Sequence, residues 1–444
     1  MKILKFGGTS VGSAERMRAV ASLIQSDEPK IVVLSAMSGT TNALVQIAEK
    51  LYQNKNQEAK ELIDSLHDKY KQVVESFYTS AEIKKKAHEL INNHFDHIRS
   101  FTLDLFTIHE ERAVLAQGEL LSTALFQFYL EEQGIPSVLL SALNFMKIDE
   151  NEEPDPDYIA KNLKAELSKY PGTSLFITQG YICRNAFGEI DNLKRGGSDY
   201  SASLIGAAVD AAEIQIWTDI DGMHNNDPRI VKNTYPIAEL SFDEAAELAY
   251  FGAKILHPSS VLPAKQKNIP VRLLNTMQPE ARGTIITSES KGANIKAVAA
   301  KDDITAIKIK SGRMLLAYGF LRSVFEVFER YKTPIDMITT SEVAVSLTID
   351  NAKFLNEIIA ELKEFGQVEV DTDQTIICVV GDFIAERSGS GLKIFEALKH
   401  IPIRMISYGG SKNNISLLIN TSDKVEALTR LNDGIFERNN GINA

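Results

Sequence analysis

At 444 residues with 44% hydrophobic side chains, the chain is long enough for roughly two or three folded domains and has the composition of an ordinary globular protein. Its formal net charge of −11, with no block of Lys or Arg, excludes the basic face that nucleic acids and anionic membranes require, and points to small-molecule ligands. Its two cysteines, Cys183 and Cys378, lie far apart inside apolar runs, which fits a reducing cytosol better than a disulfide framework or a thiolate metal site.

The N-terminus enters a strand at once, Ile3-Leu-Lys-Phe6, with no signal-type apolar core, and no run of about 18 apolar residues occurs, so a cytoplasmic location is expected. Gly7-Gly8-Thr9-Ser10 follows that strand. Adjacent glycines let backbone N–H groups close on phosphate oxygens with no Cβ in the way, and Lys5 adds an ammonium. No G-x-x-x-x-G-K-[ST] string and no G-x-G-x-x-G fingerprint occurs here. Taken alone, the glycine pair fits a tight βα turn as well as a phosphate site. Ile31–Leu34 predicts a second strand, and Ser35-Ala-Met-Ser-Gly39-Thr-Thr41-Asn42 then opens a helix, with hydroxyls and amides where an anion can dock.

Between about 58 and 112 apolar residues recur at three- or four-residue steps among many charges (Leu62, Leu66, Tyr70, Val74, Phe77; Ile83, Ala87, Ile91, Phe95, Ile98), predicting an inserted helical hairpin. That insert reads either as a packing excursion over one sheet edge or as a contributor to the substrate site. Gly118-Glu119-Leu-Leu-Ser122 reads as a helix start, with Glu119 either a dipole-complementing cap or a ligand carboxylate. Ser137–Leu140, Ser174–Ile177, Ile214–Trp217 and Val271–Leu274 predict further inner strands of a mainly parallel sheet. In such sheets ligands bind outside the carboxyl ends of the strands, where these turns fall.

Arg195-Gly196-Gly197-Ser198-Asp199 carries more than a turn. Asp199 can hold a hard cation, Arg195 can grip a carboxylate through two N–H bonds, and an N-cap alone would explain Ser or Asp but not the Arg-Gly-Gly before them. Thr218-Asp219-Ile-Asp-Gly222 through Asp227-Pro-Arg229 fails the EF-hand spacing and reads as a loop bordering a nucleotide. Lys254 lies near the end of a helix predicted from about Phe242, and His257 before Pro258 reads as structural. The eight histidines form no H-E-x-x-H and no paired metal spacing.

After a polar stretch at 288–294 the pattern changes to two similar units. Pro334-Ile-Asp-Met-Ile-Thr339 and Pro402-Ile-Arg-Met-Ile-Ser407 lie 402 − 334 = 68 residues apart. Each is preceded by an amphipathic helix (320–331, 392–400) and followed by a strand (345–349, 415–419). The second copy ends in a helix near 423–436 with no terminal strand. Lys296–Lys301, surplus before the first copy, can fill that gap and interlock the two units.

Together these strings resemble aspartate kinases of the amino-acid-kinase family, in the monofunctional, lysine-sensitive form with a C-terminal pair of ACT domains and no homoserine dehydrogenase extension. They occur in the family's order over nearly the whole chain, including Phe251-Gly-Ala-Lys-Ile-Leu-His-Pro258 and Gly319-Phe320-Leu321. The resemblance implies an amino-acid-kinase domain over 1–290, a first ACT domain over 304–371, and a second over 296–301 plus 375–444. It implies the reaction of ATP with L-aspartate to give 4-phospho-L-aspartate and ADP, the first step of lysine, threonine and methionine biosynthesis. The residues agree with that chemistry: a side-chain carboxylate is already ionised at neutral pH, so the site must neutralise charge rather than supply a base.

On this resemblance Lys5, Gly7, Gly8 and Lys254 face the phosphates, Ser10 is also nucleotide-binding, and Thr218, Asp219, Asp227 and Arg229 border the nucleotide. Asp199 holds Mg²⁺ and, with Lys5, is catalytic. Arg195 clamps a substrate carboxylate, Glu119 pairs with the substrate ammonium, and Thr41 and Ser198 orient it. Met314, Phe320, Leu321, Asp336, Ser341 and Glu342 line an effector pocket for lysine, Asp336 serving as amino-group ligand or strand-end cap. A homodimer or dimer of dimers through the ACT domains is implied. Two departures stand out: Ile190-Asp-Asn-Leu-Lys194 replaces the usual threonine run and Leu-Gly before Arg195, and Ala317 stands where lysine-sensitive relatives carry a hydroxyl. Another carboxylate or carbamate kinase of this fold, and a silent amino-acid sensor, are the alternatives.

Overall fold

The computed structural model describes residues 1–103, 105–193, 196–252, 256–289, 295–312, 318–381 and 389–436. Arg195, Lys254 and Met314, each singled out by the sequence, lie outside them, as does Ala317. The chain forms two compact units, the first comprising Met1–Met223, Ala238–Phe242 and Leu256–Ser290, the second His224–Ile237, Asp243–Ile255 and Lys291–Ala444.

The first unit begins with β1 (Lys2–Phe6), α1 (Ala14–Leu23), β2 (Lys30–Leu34) and α2 (Thr40–Tyr52). The predicted hairpin follows as α3 (Asn56–Phe77) and α4 (Ala81–Ser100). Their three- and four-residue stripes bury Ile63, Tyr70, Phe77, Ile91 and Phe95 completely or nearly so, in one core with β1 and β2. Next come α5 (Ile108–Glu132), β3 (Val138–Leu140), α6 (Pro156–Ser168) and β4 (Leu175–Gln179). A short hairpin, β5 (Ile182–Arg184) with β6 (Ile190–Asn192), leads to α7 (Gly197–Ala208) and β7 (Glu213–Thr218). β8 (Glu239–Ser241) precedes α8 (Phe242–Tyr250), nearly all of which belongs to the second unit. α9 (Leu262–Gln266), β9 (Val271–Asn275) and β10 (Thr284–Thr287) complete the first.

The sheet order is β3-β4-β2-β1-β7-β9-β10-β8, parallel except for the β9–β10 pair. Val138–Leu140 is therefore an edge strand, not an inner one. Its partly exposed residues fit that place, whereas β2 and β4 are buried throughout as strands covered on both faces must be.

The second unit holds β11 (Ile295–Lys310), α10 (Phe320–Arg330), β12 (Ile338–Thr340), β13 (Ala344–Ile349), α11 (Leu355–Leu362) and β14 (Gln367–Gly381). Then follow α12 (Ser390–Ala397), β15 (Met405–Tyr408), β16 (Asn414–Asn420) and α13 (Lys424–Ile435). The sheet order is β12-β13-β11-β14-β16-β15. β11 and β14 are long strands shared by both repeats. Residues 297–301 pair antiparallel with 376–380, beside β16, while 305–310 pair with β13. The surplus strand thus lies in the second repeat's half of the sheet. Two apolar cores result, one around Ile307, Val327, Phe328 and Leu347, the other around Val298, Ile377, Leu417 and Leu431.

Candidate active site

Parallel register brings the site together. Phe6 lies opposite Leu34 on one side and Trp217 on the other, and Leu34 lies opposite Gln179, so β4, β2, β1 and β7 end level with one another. The residues that follow, Gly180, Ser35, Gly7 and Thr218, lie along one carboxyl edge, where α/β sheets bind ligands. Backbone bonds tie the turns there: Gly7 N–H to Trp217 C=O at 3.3 Å, Ser38 N–H to Gly8 C=O at 3.1 Å and Gly180 N–H to Leu34 C=O at 2.9 Å.

These turns wall a cavity of about 550 Å³, lined among others by Gly8, Thr41, Glu119, Ser198, Thr218 and Asp219. α2 and α7 both open there, each after a glycine in left-handed conformation, Gly39 (φ 80°) and Gly196 (φ 70°). Their N-terminal amides and aligned peptide dipoles favour anions. Because Gly196 is the cap, Ser198 and Asp199 fall within the first turn of α7 and neither caps it. Ser198 Oγ instead meets Ser35 Oγ at 2.9 Å.

Lys5 Nζ and an Asp199 carboxylate oxygen form an ion pair at 2.7 Å, with side chains 11% and 17% exposed. Two of the sequence candidates, a cation and a carboxylate, therefore neutralise each other here. Gly7 stands against Lys5 Nζ, which would be 3.4 Å from a Cβ built there.

Glu119 is not at a helix start. α5 begins at Ile108 behind a Thr107–Glu110 capping box, and Glu119 sits near its middle, 3% exposed. Gly118 permits this: a Cβ there would lie 2.8 Å from Ala36 Cβ, so only glycine lets α5 press against the Ser35–Gly39 turn. One Glu119 oxygen accepts the Ala36 N–H at 3.2 Å, and the other is buried without a hydrogen-bond partner. Burial raises the carboxyl to about 7, against weaker lowering by those N–H bonds and by Lys5. A buried, half-satisfied carboxylate of this kind suits a ligand ammonium.

Other sequence candidates lie elsewhere. Ser10 is wholly buried and its hydroxyl meets Thr276 Oγ1 at 2.7 Å, so it braces the turn and does not face the cavity. Asp227 and Arg229 belong to the second unit, where the guanidinium grips the carboxylate at 2.9 and 2.7 Å beside a 520 Å³ cavity that Lys301 and Lys424 also line. Of the effector candidates, Phe320 lines a 410 Å³ cavity with Tyr318 and Arg322, and Leu321, Ser341 and Glu342 are exposed.

Asp336 lines a separate 270 Å³ cavity with Tyr250 and Glu247. Its side chain is 1% exposed, and one oxygen takes Lys301 Nζ at 2.8 Å and Tyr250 O–H at 2.7 Å. It is therefore no strand-end cap but already an ammonium ligand, with its other oxygen buried and without a hydrogen-bond partner.

Tyr181, which is not among the sequence candidates, also lines the first cavity, at φ 65° after Gly180. Its position one residue past a strand-end glycine was the available signal. His257 accepts the Ser259 N–H at 3.2 Å, a local turn role. Among the described residues no cluster of three or more His, Cys, Asp or Glu could hold a metal, and no helix is long and apolar enough to cross a membrane.

Residues 1–275 match the model of the amino acid kinase family and residues 377–434 that of an ACT domain. The lysine-sensitive aspartokinase 3 of Escherichia coli K12 is 32% identical over 98% of this chain and 99% of its own. The chloroplastic aspartokinase 3 of Arabidopsis thaliana is 34% identical over 98% and 81%. The crystal structure of E. coli aspartokinase III with aspartate and ADP, in its R-state, superposes with a TM-score of 0.84 at 32% identity, covering 98% of this chain and 100% of that one.

Proposed function

Because the chain belongs to the amino acid kinase family and, within it, to the aspartokinases, we propose that it transfers the γ-phosphoryl group of ATP to the side-chain carboxylate of L-aspartate at the cavity above β1, β2, β4 and β7. The observation that carries this is Glu119, whose unpartnered oxygen and raised pKa suit a substrate ammonium, which a carbamate lacks.

Glu119 takes the ammonium, Thr41 and Ser198 orient the substrate, and Arg195 clamps its α-carboxylate. The side-chain carboxylate is ionised at neutral pH and attacks phosphorus directly, so the protein's work is to bring two anions together. Lys5 and the Gly7 and Gly8 amides offset the phosphate charge, while Thr218 and Asp219 border the nucleotide. As phosphoryl transfer proceeds, negative charge moves toward the leaving ADP, and Lys5, released from Asp199, follows it. Mg²⁺ is ordinarily held by one or two carboxylates together with phosphates and water, and Asp199, beside Lys5, could supply a carboxylate. When bound it would screen the phosphate charge.

Control by lysine through the ACT domains, a homodimer or dimer of dimers joined by them, and a cytosolic location complete the proposal. The E. coli relative is named lysine-sensitive, and its crystal structure with lysine and aspartate is described as the T-state. The unpartnered oxygen of Asp336 is the feature here that suits an effector ammonium. An effector acts by its differential affinity for two states.

The test is ATP- and Mg²⁺-dependent acyl-phosphate formation from L-aspartate, trapped with hydroxylamine, with lysine, threonine and methionine added in turn. Turnover inhibited by lysine is the expected result. Turnover with glutamate or carbamate instead of aspartate would move the substrate, and silence with all three would leave an amino-acid sensor.

A further inference from the structure

The hairpin α3–α4 contacts two segments that wall the cavity, the Ser35–Gly39 turn with the start of α2, and the stretch of α5 that carries Glu119. Lys69 and Tyr70 are consecutive on α3. Lys69 Nζ donates to the Ser38 carbonyl at 2.9 Å, and the Tyr70 hydroxyl shares a hydrogen bond with Thr40 Oγ1 at 3.0 Å, both of these latter residues being wholly buried. On α4, His94 meets Gln117 Oε1 through Nδ1 at 2.6 Å, and Gln117 lies two residues before Glu119 on α5. Gln117 spends its N–H on the Ala113 carbonyl, so His94 is the donor to its oxygen.

Apolar packing explains most of the hairpin's buried face but not the Tyr70 hydroxyl. Phenylalanine would fill nearly the same volume, and a buried hydroxyl is tolerated only when partnered. Its partner Thr40 occupies the critical place. Thr40 follows the Ser35–Gly39 turn as the first residue of α2, and its Cγ2 lies 3.3 Å from where a Cβ on Gly118 would stand. Thr40 is thus wedged between α3 and the stretch of α5 that carries Glu119, directly after the turn whose Ala36 amide holds the Glu119 carboxylate.

Resting on the reading of this cavity as the aspartate site, we propose that Tyr70 is a positioning residue for substrate binding: by fixing Thr40 it sets the spacing between the Ser35–Gly39 turn and Glu119, and so the fit of the substrate ammonium. The insert is then part of the substrate site and not only a cover for the sheet.

Steady-state kinetics of Y70F, T40V and the double variant, each beside wild type, test this. Y70F raises the KM for L-aspartate about fivefold, the scale of one neutral hydrogen bond, with kcat and the KM for ATP within twofold. T40V does the same, T40S retains wild-type KM, and the double variant is no worse than either single one. A Y70F variant of lowered thermal midpoint but unchanged aspartate KM would make the bond merely structural and overturn the proposal, as would additive KM shifts or equal losses for both substrates. Absence of aspartate turnover in wild type would defeat the functional reading instead.

Discussion

Substituting Glu119 by Gln isolates the charge at the proposed ammonium site, since the amide keeps the shape and the oxygen that accepts the Ala36 N–H. With the carboxyl at about 7, ionisation goes from about one tenth at pH 6 to nine tenths at pH 8, so wild-type kcat/KM for aspartate should rise roughly tenfold across that range. E119Q should lose that rise and, at pH 8, run roughly 10- to 150-fold below wild type, the equivalent of about 1.5 to 3 kcal/mol for a bond to a charged group. Taking the ratio of wild type to E119Q at each pH removes titration of the nucleotide and other groups common to both.

The same shift makes an opposite prediction for stability. An acid whose folded pKa is raised weakens the fold as pH rises from its ordinary value of 4.5 to about 7, by about 3 kcal/mol in all, and has no further effect above. E119Q escapes this, so its thermal midpoint at pH 8 should be no lower than wild type despite the lost activity. A variant with wild-type aspartate KM and an unchanged pH profile would refute the assignment of Glu119.

Replacing Lys5 by Met should lower kcat at least about 100-fold in a folded protein, read by hydroxamate formation, because a preorganised cation at the phosphates is lost. D199N should raise the Mg²⁺ concentration needed for half-maximal rate; an unaltered Mg²⁺ titration would remove Asp199 from the metal site. G118A gains helix propensity of about 1 kcal/mol, but its Cβ must displace Ala36, at a cost of about 1 to 3 kcal/mol, so aspartate KM should rise while helix content by circular dichroism is kept. D336N should raise the half-inhibiting lysine concentration at least tenfold, measured by the same assay, since an amide cannot pair with an ammonium as the carboxylate does.

Short-range rules made much of this protein legible. Lys5, Gly7 and Gly8 stand at a strand end, and the stripes at 58–100 fold as the predicted hairpin, because turn chemistry and periodicity act over a few residues. The 68-residue repeat likewise announced two similar C-terminal units. What no local rule holds is partnership. Sequence leaves Glu119 either a helix cap or a ligand carboxylate; α5 starts well before it, and its backbone partner is Ala36, 83 residues away. Ser10 looked like part of the phosphate turn, yet its hydroxyl is used by Thr276, 266 residues on. Tyr70 fits the apolar stripe of α3 so well that its hydroxyl carried no signal, and only the packing of α3 on α2 gave it Thr40. The sequence by itself determined which segments turn, coil or extend and which charges are available. Tertiary structure alone decided which of those charges remain unpaired in a cavity, because the cost of burying a polar group depends on what the rest of the chain brings to it.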